Sequence, residues 1–437
     1  MFGARRRARD EFRHTVHALT EAARTGDATA AAAAITRLGD LLPRLRRGDP
    51  AIDEAVPPVG QIAARLLGTA GPALGPALTV FRSLLTAAQF DAGLQAALLM
   101  SVGEDLLRSA RETHERQLVD EAVKLGDAAV AAAEPGSQLQ AVMLSMLGEA
   151  CQLRFSNSGD AADLERALEA YRTAADRVTA RVLPLRLTGD VRILCLSGLG
   201  SCLSLQFQQT ADLRVLDEAI TAYRRALRIV PPDDLSRPGY LDKLSIALHR
   251  RYQATGSADA LNEAITLSAE AVETGVPDST GYASWLHTHA ISLLARHRLT
   301  DDPHDLERSI SLLRNALRVE SSGSIRRIRY CFSLGTALQE LFLRCNDLAA
   351  LDEAIGTYRD TLPGSLSDPH LSGMILSHLG VALGQHYEAS GGPIEHLNEA
   401  ITLLQEAVAV LPEDDPNRPA TLANLAILLE RRSRADQ

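Results

Sequence analysis

Lysine is almost missing from this sequence. The 437-residue chain has two, Lys124 and Lys243, and arginine supplies the rest of its basic charge. That bias reads as the codon usage of a GC-rich bacterium and not as chemistry. Positive charge is also the minority sign: the formal net charge is −10, which excludes a chain built to coat nucleic acid. Aromatics are scarce at 4% of residues, while alanine, leucine and arginine are abundant, a composition that favours helix. Five cysteines (Cys151, Cys195, Cys202, Cys331, Cys345) form no CxxC pair and stand at no zinc-type spacing with histidine. They read as small residues in a reducing compartment, and the expected location is cytoplasmic. Long apolar runs are absent too. Leu94 to Met100 is too short to span a membrane, and the four arginines between Met1 and Arg9 lead into no apolar h-region of a secretory signal. There is no GxSxG, HExxH, P-loop or dinucleotide-binding glycine fingerprint, so no enzyme class is marked and no cofactor is expected.

What is present is a repeat. The stretch Leu216-Asp217-Glu218-Ala219-Ile220, running on to Tyr223 and Ala226, returns with changes along the chain. Its central small residue recurs as Ala167, Ala219, Ala264, Ser309, Ala354 and Ala400, at spacings of 52, 45, 45, 45 and 46. A period of this size marks a solenoid, which overrides the length-based expectation of several domains. Leu216, Ala219, Ile220, Tyr223 and Ala226 form one apolar stripe at helical spacing, with acidic residues early and arginines late, as the helix dipole favours. Such a helix needs a partner to bury its stripe. A first helix precedes each of these second helices and carries a Leu-Gly pair or its variant: Leu147-Gly148, Leu199-Gly200, Leu244-Ser245, His289-Ala290, Leu334-Gly335, Leu379-Gly380 and Leu425-Ala426. Turn signals separate the two helices at Gly159-Asp160, Gly256-Ser257, Asp302-Pro303, Asn346-Asp347 and Gly391-Gly392, and prolines follow near the second helices' ends.

In chain order, residues 1–48 read as a basic helical hairpin, broken at Gly26-Asp27, and as a degenerate first repeat. Residues 49–90 are the least regular, with Pro57-Pro58, Gly71-Pro72 and Gly75-Pro76 interrupting a worn repeat. Residues 91–434 are the clear array. The seven extra residues of the 52-residue spacing fall between Ala174 and Asp190. Ala420 to Arg434 is expected to cap the array, packing Leu422, Leu425, Leu428 and Leu429 on the preceding helix.

The Leu-Gly pair, the small residue and tyrosine of the second helix, and the proline after it resemble the tetratricopeptide repeat family. The fit is to the long variant of about 45 residues, seen in actinobacterial proteins beside CHAT protease domains. No protease-like segment is expected here. The resemblance implies an all-α, α-α superhelical solenoid of helix–turn–helix repeats whose first helices line a concave face. Carried onto this sequence, the groove-facing residues are Asp242, His249, Ser284, His287, Arg329, Phe332, Thr336, Gln339 and Ser377, with Glu149, Gln152, Ser197 and Ser201 upstream. That lining lacks the Lys and Asn set that chaperone-binding relatives use to clamp a terminal carboxylate. The expected function is a non-catalytic protein- or peptide-binding scaffold, with no nucleic acid, no membrane span, and homo-oligomerisation left open. The alternative is an enzyme or small-ligand receptor around Asp242, His249 and His287, with Asp242 and His287 close enough to meet across successive first helices. His289, at the core position of its pair, reads as a buried histidine bonded to backbone. His297, eight residues on, is too far along the helix for a shared metal, and none is expected.

Overall fold

The computed structural model describes residues 2–46, 49–66, 74–87, 92–113, 115–177, 190–321, 324–365 and 368–435. Among them are nineteen α-helices and no strand, so the all-α solenoid class read from the sequence is the one observed. The chain falls into two compact units, Met1–Val230 and Pro231–Gln437.

The first unit is a run of five helix hairpins: α1 (Phe2–Thr25) with α2 (Ala28–Leu41), α3 (Pro50–Leu66) with α4 (Leu74–Ala87), α5 (Ala92–Thr113) with α6 (Arg116–Ala132), α7 (Gln138–Ser158) with α8 (Ala161–Arg177), and α9 (Val191–Thr210) with α10 (Leu213–Leu227). The hairpin of α1 and α2 is turned at Gly26 with a positive φ and started again by Asp27, whose carboxylate caps the Ala30 amide. The irregularity expected at Pro57-Pro58 is not: α3 runs through both prolines. The extra residues of the long spacing lie mostly at 178–189, outside the described residues.

The second unit continues the pattern: α11 (Arg237–Thr255) with α12 (Ala258–Thr274), α13 (Tyr282–Thr300) with α14 (Pro303–Val319), α15 (Ile325–Cys345) with α16 (Leu348–Ser365), α17 (Pro369–Ser390) with α18 (Ile394–Val410), then α19 (Arg418–Ala435) against α18. From α7 on, within each unit, a first helix packs on the second helix before it, on neighbouring first helices and, save for α19, on its own second helix.

The repeated residues explain the hairpin. A Cβ on Gly335 would come within 2.5 Å of the Tyr358 ring, so glycine is what lets the second helix close in. Where serine replaces a small residue, it bonds across the same gap: Ser245 donates to the Ala264 carbonyl at 2.8 Å, and Ser309 to the Ala290 carbonyl at 2.9 Å. The turn is equally regular. Gly159, Ala211, Gly256, Asp301, Asn346 and Gly391 all adopt the left-handed conformation at the end of a first helix. Second helices then begin on capping carboxylates or hydroxyls, at Asp212, Ser257 and Asp302.

Candidate functional site: the first-helix face of the second unit

The first helices of the second unit carry all nine residues of the expected groove, and most of those side chains are engaged with neighbouring helices. Asp242 is buried and accepts from Ser284 of α13 at 3.5 Å, while its Oδ1 has no partner. Burial pushes its carboxyl up to about 6. His249 shares a bond with Ser292, Nδ1 to Oγ at 3.4 Å. His287 faces the other way, with Nε2 3.0 Å from Ser333 and its ring 4.7 Å from that of Tyr330, both on α15. Asp242 is thus turned to α13 and His287 to α15, and the meeting of the two expected from their register is not the arrangement found. Burial pushes His249 down to about 4 and His287 down to about 3.

The remaining members follow the same rule. Gln339 donates to Gln385 of α17 at 2.8 Å, and Ser377 bonds Thr421 of α19 at 3.0 Å. Thr336 donates to the Phe332 carbonyl and lies 3.4 Å from the Tyr358 hydroxyl that donates to it. Phe332 packs edge-on against His378, ring centres 5.0 Å apart. Arg329 is exposed. His289, expected to bond backbone, instead shares a bond with the Ser268 hydroxyl at 3.1 Å. Upstream, in the first unit, Ser197 is buried, Ser201 accepts from Tyr223 at 3.2 Å and Glu149 pairs with Arg111. These positions therefore form polar rungs between successive helices, roughly one repeat apart.

The open surface lies further toward the C-terminal ends of the first helices, where the sequence reading placed no groove residue. A cleft of about 450 Å³ runs between α15, α17 and α19. Its walls are Leu343, Val381, Ala389 and Ile427 over a buried floor of Phe342 and Leu428, rimmed by Asn346, Gln385, Glu388, Asn424 and Arg431. Leu343 is 65% exposed and Ile427 47%. Glu388 and Arg431 form an ion pair at the rim. Leu343 also borders a second, more polar hollow with His297, Asp301, Glu340, Arg344 and Cys345. These positions escape a sequence reading because they sit outside the repeat's signature, which records only what the hairpin needs. An exposed leucine one turn before a helix end was the available signal.

Among the described residues no group of three His, Cys, Asp or Glu side chains is placed to hold a metal ion, and no helix is long and apolar enough to cross a membrane. No family model and no curated protein matches the chain. Solved structures similar to it include a thermophilic TPR protein of Thermus thermophilus, 22% identical, covering 51% of this chain and 97% of its own, with a TM-score of 0.36. An APC/C hetero-tetramer component is 14% identical over 94% of this chain and 64% of its own, with a TM-score of 0.49. A signal-transduction ATPase with a tetratricopeptide repeat sensor from Pyrococcus horikoshii is 12% identical over 90% and 64%, with a TM-score of 0.41.

Proposed function

We propose that this tetratricopeptide-like array is a non-catalytic scaffold that binds a protein or peptide along the first-helix face of its second unit. One observation carries the reading: the cleft between α15, α17 and α19 exposes Leu343 and Ile427 over an apolar floor, with a polar rim. Contiguous apolar surface bordered by polar groups is what a docking segment desolvates. The occupant is an extended or helical segment that seats an apolar side chain in the cleft and hydrogen-bonds Asn346, Gln385 or Asn424 at its edge. The buried rungs at Asp242, His249 and His287 hold the first helices that shape this face, and Arg329 adds a cation to its surface. Nothing in their geometry favours the enzyme reading.

Free thiols at all five cysteines support a reducing cytoplasmic location. The constant spacing near 45 residues supports placement with the long-repeat arrays of actinobacterial proteins. The test is a photo-crosslinking amino acid at Leu343, Ile427 and, as a control on a second helix, Thr266. Adducts to one partner from the first two sites and none from Thr266 are expected, with affinity for that partner lost in Leu343→Asp. A partner that crosslinks equally from Thr266, or binds Leu343→Asp unchanged, overturns this site.

A further inference from the structure

One place after the small residue of each first helix, the second unit carries the same kind of side chain. The residues are Ile246, Ile291, Thr336, Val381 and Ile427, all β-branched, at spacings of 45, 45, 45 and 46. In the first unit the same place is polar, with Glu104, Glu149 and Ser201. Ile291, Thr336 and Val381 each have a first helix on both sides and are still only half-buried, and Ile427 is 47% exposed. The close approach of the second helix rests on the neighbouring small residue, Gly335 against Tyr358 and Gly380 against Leu404, and not on this column. β-Branched side chains have few rotamers to lose, so a surface made of them is already set for a ligand.

The step of the column selects a chain conformation. Successive first helices are bonded side by side, Asp242 to Ser284, His287 to Ser333, Gln339 to Gln385 and Ser377 to Thr421. Helices packed in this way have axes about 8–10 Å apart. A polyproline II segment has three residues per turn and rises about 3.1 Å per residue, so every third side chain falls on one face at a step of about 9.3 Å. A β-strand places same-face side chains about 6.6–6.8 Å apart and falls out of step within two contacts. An α-helix returns to one face after about 10.5 Å, but its backbone groups are already bonded to each other. The border of the cleft suits backbone partners. Asn346, Gln385 and Asn424 line it, and Gln385 accepts from Gln339 at 2.8 Å, which leaves its own amide nitrogen to donate. A polyproline II backbone makes no internal hydrogen bonds and offers carbonyls along its whole length.

Charge restricts the occupant further. Glu340 is bonded to Arg298 of α13, and Glu388 to Arg431 of α19, so the acids and bases beside the column neutralise each other within the chain. A charged side chain laid over them would compete with a closed pair, whereas an uncharged segment matches the neutral surface.

We propose that the docked segment is an uncharged, proline-rich stretch in the polyproline II conformation, with an apolar side chain at every third position. One such side chain sits in the cleft between Val381 and Ile427, and the next ones rest on Thr336 and Ile291. This rests on the cleft as the docking site, and adds the occupant's composition, its conformation and its path across α15 and α13.

The probe is a labelled twelve-residue peptide of four Pro-Pro-Leu units, titrated with the full chain and followed by fluorescence anisotropy. Its control is an isomer of the same composition with the leucines in two adjacent pairs. Saturable binding of the probe is expected, at least about tenfold tighter than that of the isomer. Leu343→Asp in the cleft should abolish it. Ile291→Ser, on α13 and outside the cleft, should weaken it about tenfold with an unchanged far-UV spectrum. If the isomer binds as tightly, or the probe is indifferent to Ile291→Ser, the proposal is overturned; loss of both peptides in Leu343→Asp would then leave the cleft standing without this path. Probe binding unchanged in Leu343→Asp removes the cleft and the proposal together. No saturable binding of the probe overturns the proposal. So does a sedimenting dimer of the unmodified chain that Ile291→Ser dissociates, since a second copy would then cover the column.

Discussion

Protonating His249, His287, His289 or His378 puts charge where burial already disfavours it, holding the four at about 4, 3, 4 and 4 against an ordinary value of 6.5. Their contribution is therefore complete above pH 6.5 and is lost as pH falls toward 4, and the melting temperature should drop over that window. Asp242 has the opposite sign. Its carboxyl ordinarily titrates at 3.8 and here at about 6, so its favourable contribution is full below 3.8 and lost as pH rises through 6. Asp242→Asn keeps a group that can accept from Ser284 and removes the buried charge. Urea melts should show it more stable than the parent by about 1–2 kcal/mol at pH 8, with the difference shrinking toward pH 4. His287 and Arg329 separate in the same way. His287→Ala strands Ser333 and opens a hole beside Tyr330, and should cost about 2–3 kcal/mol in a denaturant melt. Arg329→Ala, at an exposed site, should change stability by less than about 0.5 kcal/mol. The resemblance placed both among the groove-facing residues, and burial separates them: His287 is buried and Arg329 is exposed.

At the scale of the helix hairpin, the turn is the element with a visible weak point. Five of the six left-handed positions ending first helices from α7 onward carry glycine, asparagine or aspartate, residues that reach that region at low cost. The sixth is Ala211, at φ 52°, where the Cβ is unfavourable. Ala211→Gly should raise stability by about 0.5–1 kcal/mol, read as a shift in denaturation midpoint with an unchanged slope. The α19 helix shows the converse. Leu428 is buried and Leu425 is partly buried against the preceding repeat. Leu422 and Leu429, expected in the same interface, are exposed. Four leucines at helical spacing identify an apolar helix but not which of them has a neighbour, since a stripe wide enough for two contacts reads like a stripe made for one.

For the molecule as a whole, a solenoid has near-neighbour contacts in place of one central core, and its stability sums over repeats and the interfaces between them. The second unit contains its own continuous apolar cluster, from Leu261 through Leu313, Leu338 and Tyr358 to Leu404 and Leu428. A chain of residues 231–437 should therefore give a helical far-UV spectrum and a cooperative melt. A fragment that stays unfolded in that measurement would show that the cluster depends on the preceding repeats.

The sequence by itself determined the helices, their pairing and the period, because each follows from local chemistry repeated six times: a stripe, a small residue for close approach, a turn former, a cap. It also determined that Asp242, His249 and His287 belong to the first helices. Which neighbour each of these side chains takes was decided by the tertiary structure, since a one-turn difference in register across the packed helices chooses between solvent, α13 and α15. The same holds for the cleft at Leu343 and Ile427. It is defined by what does not pack against it, and helical periodicity records only that a residue is apolar, not whether a partner arrives.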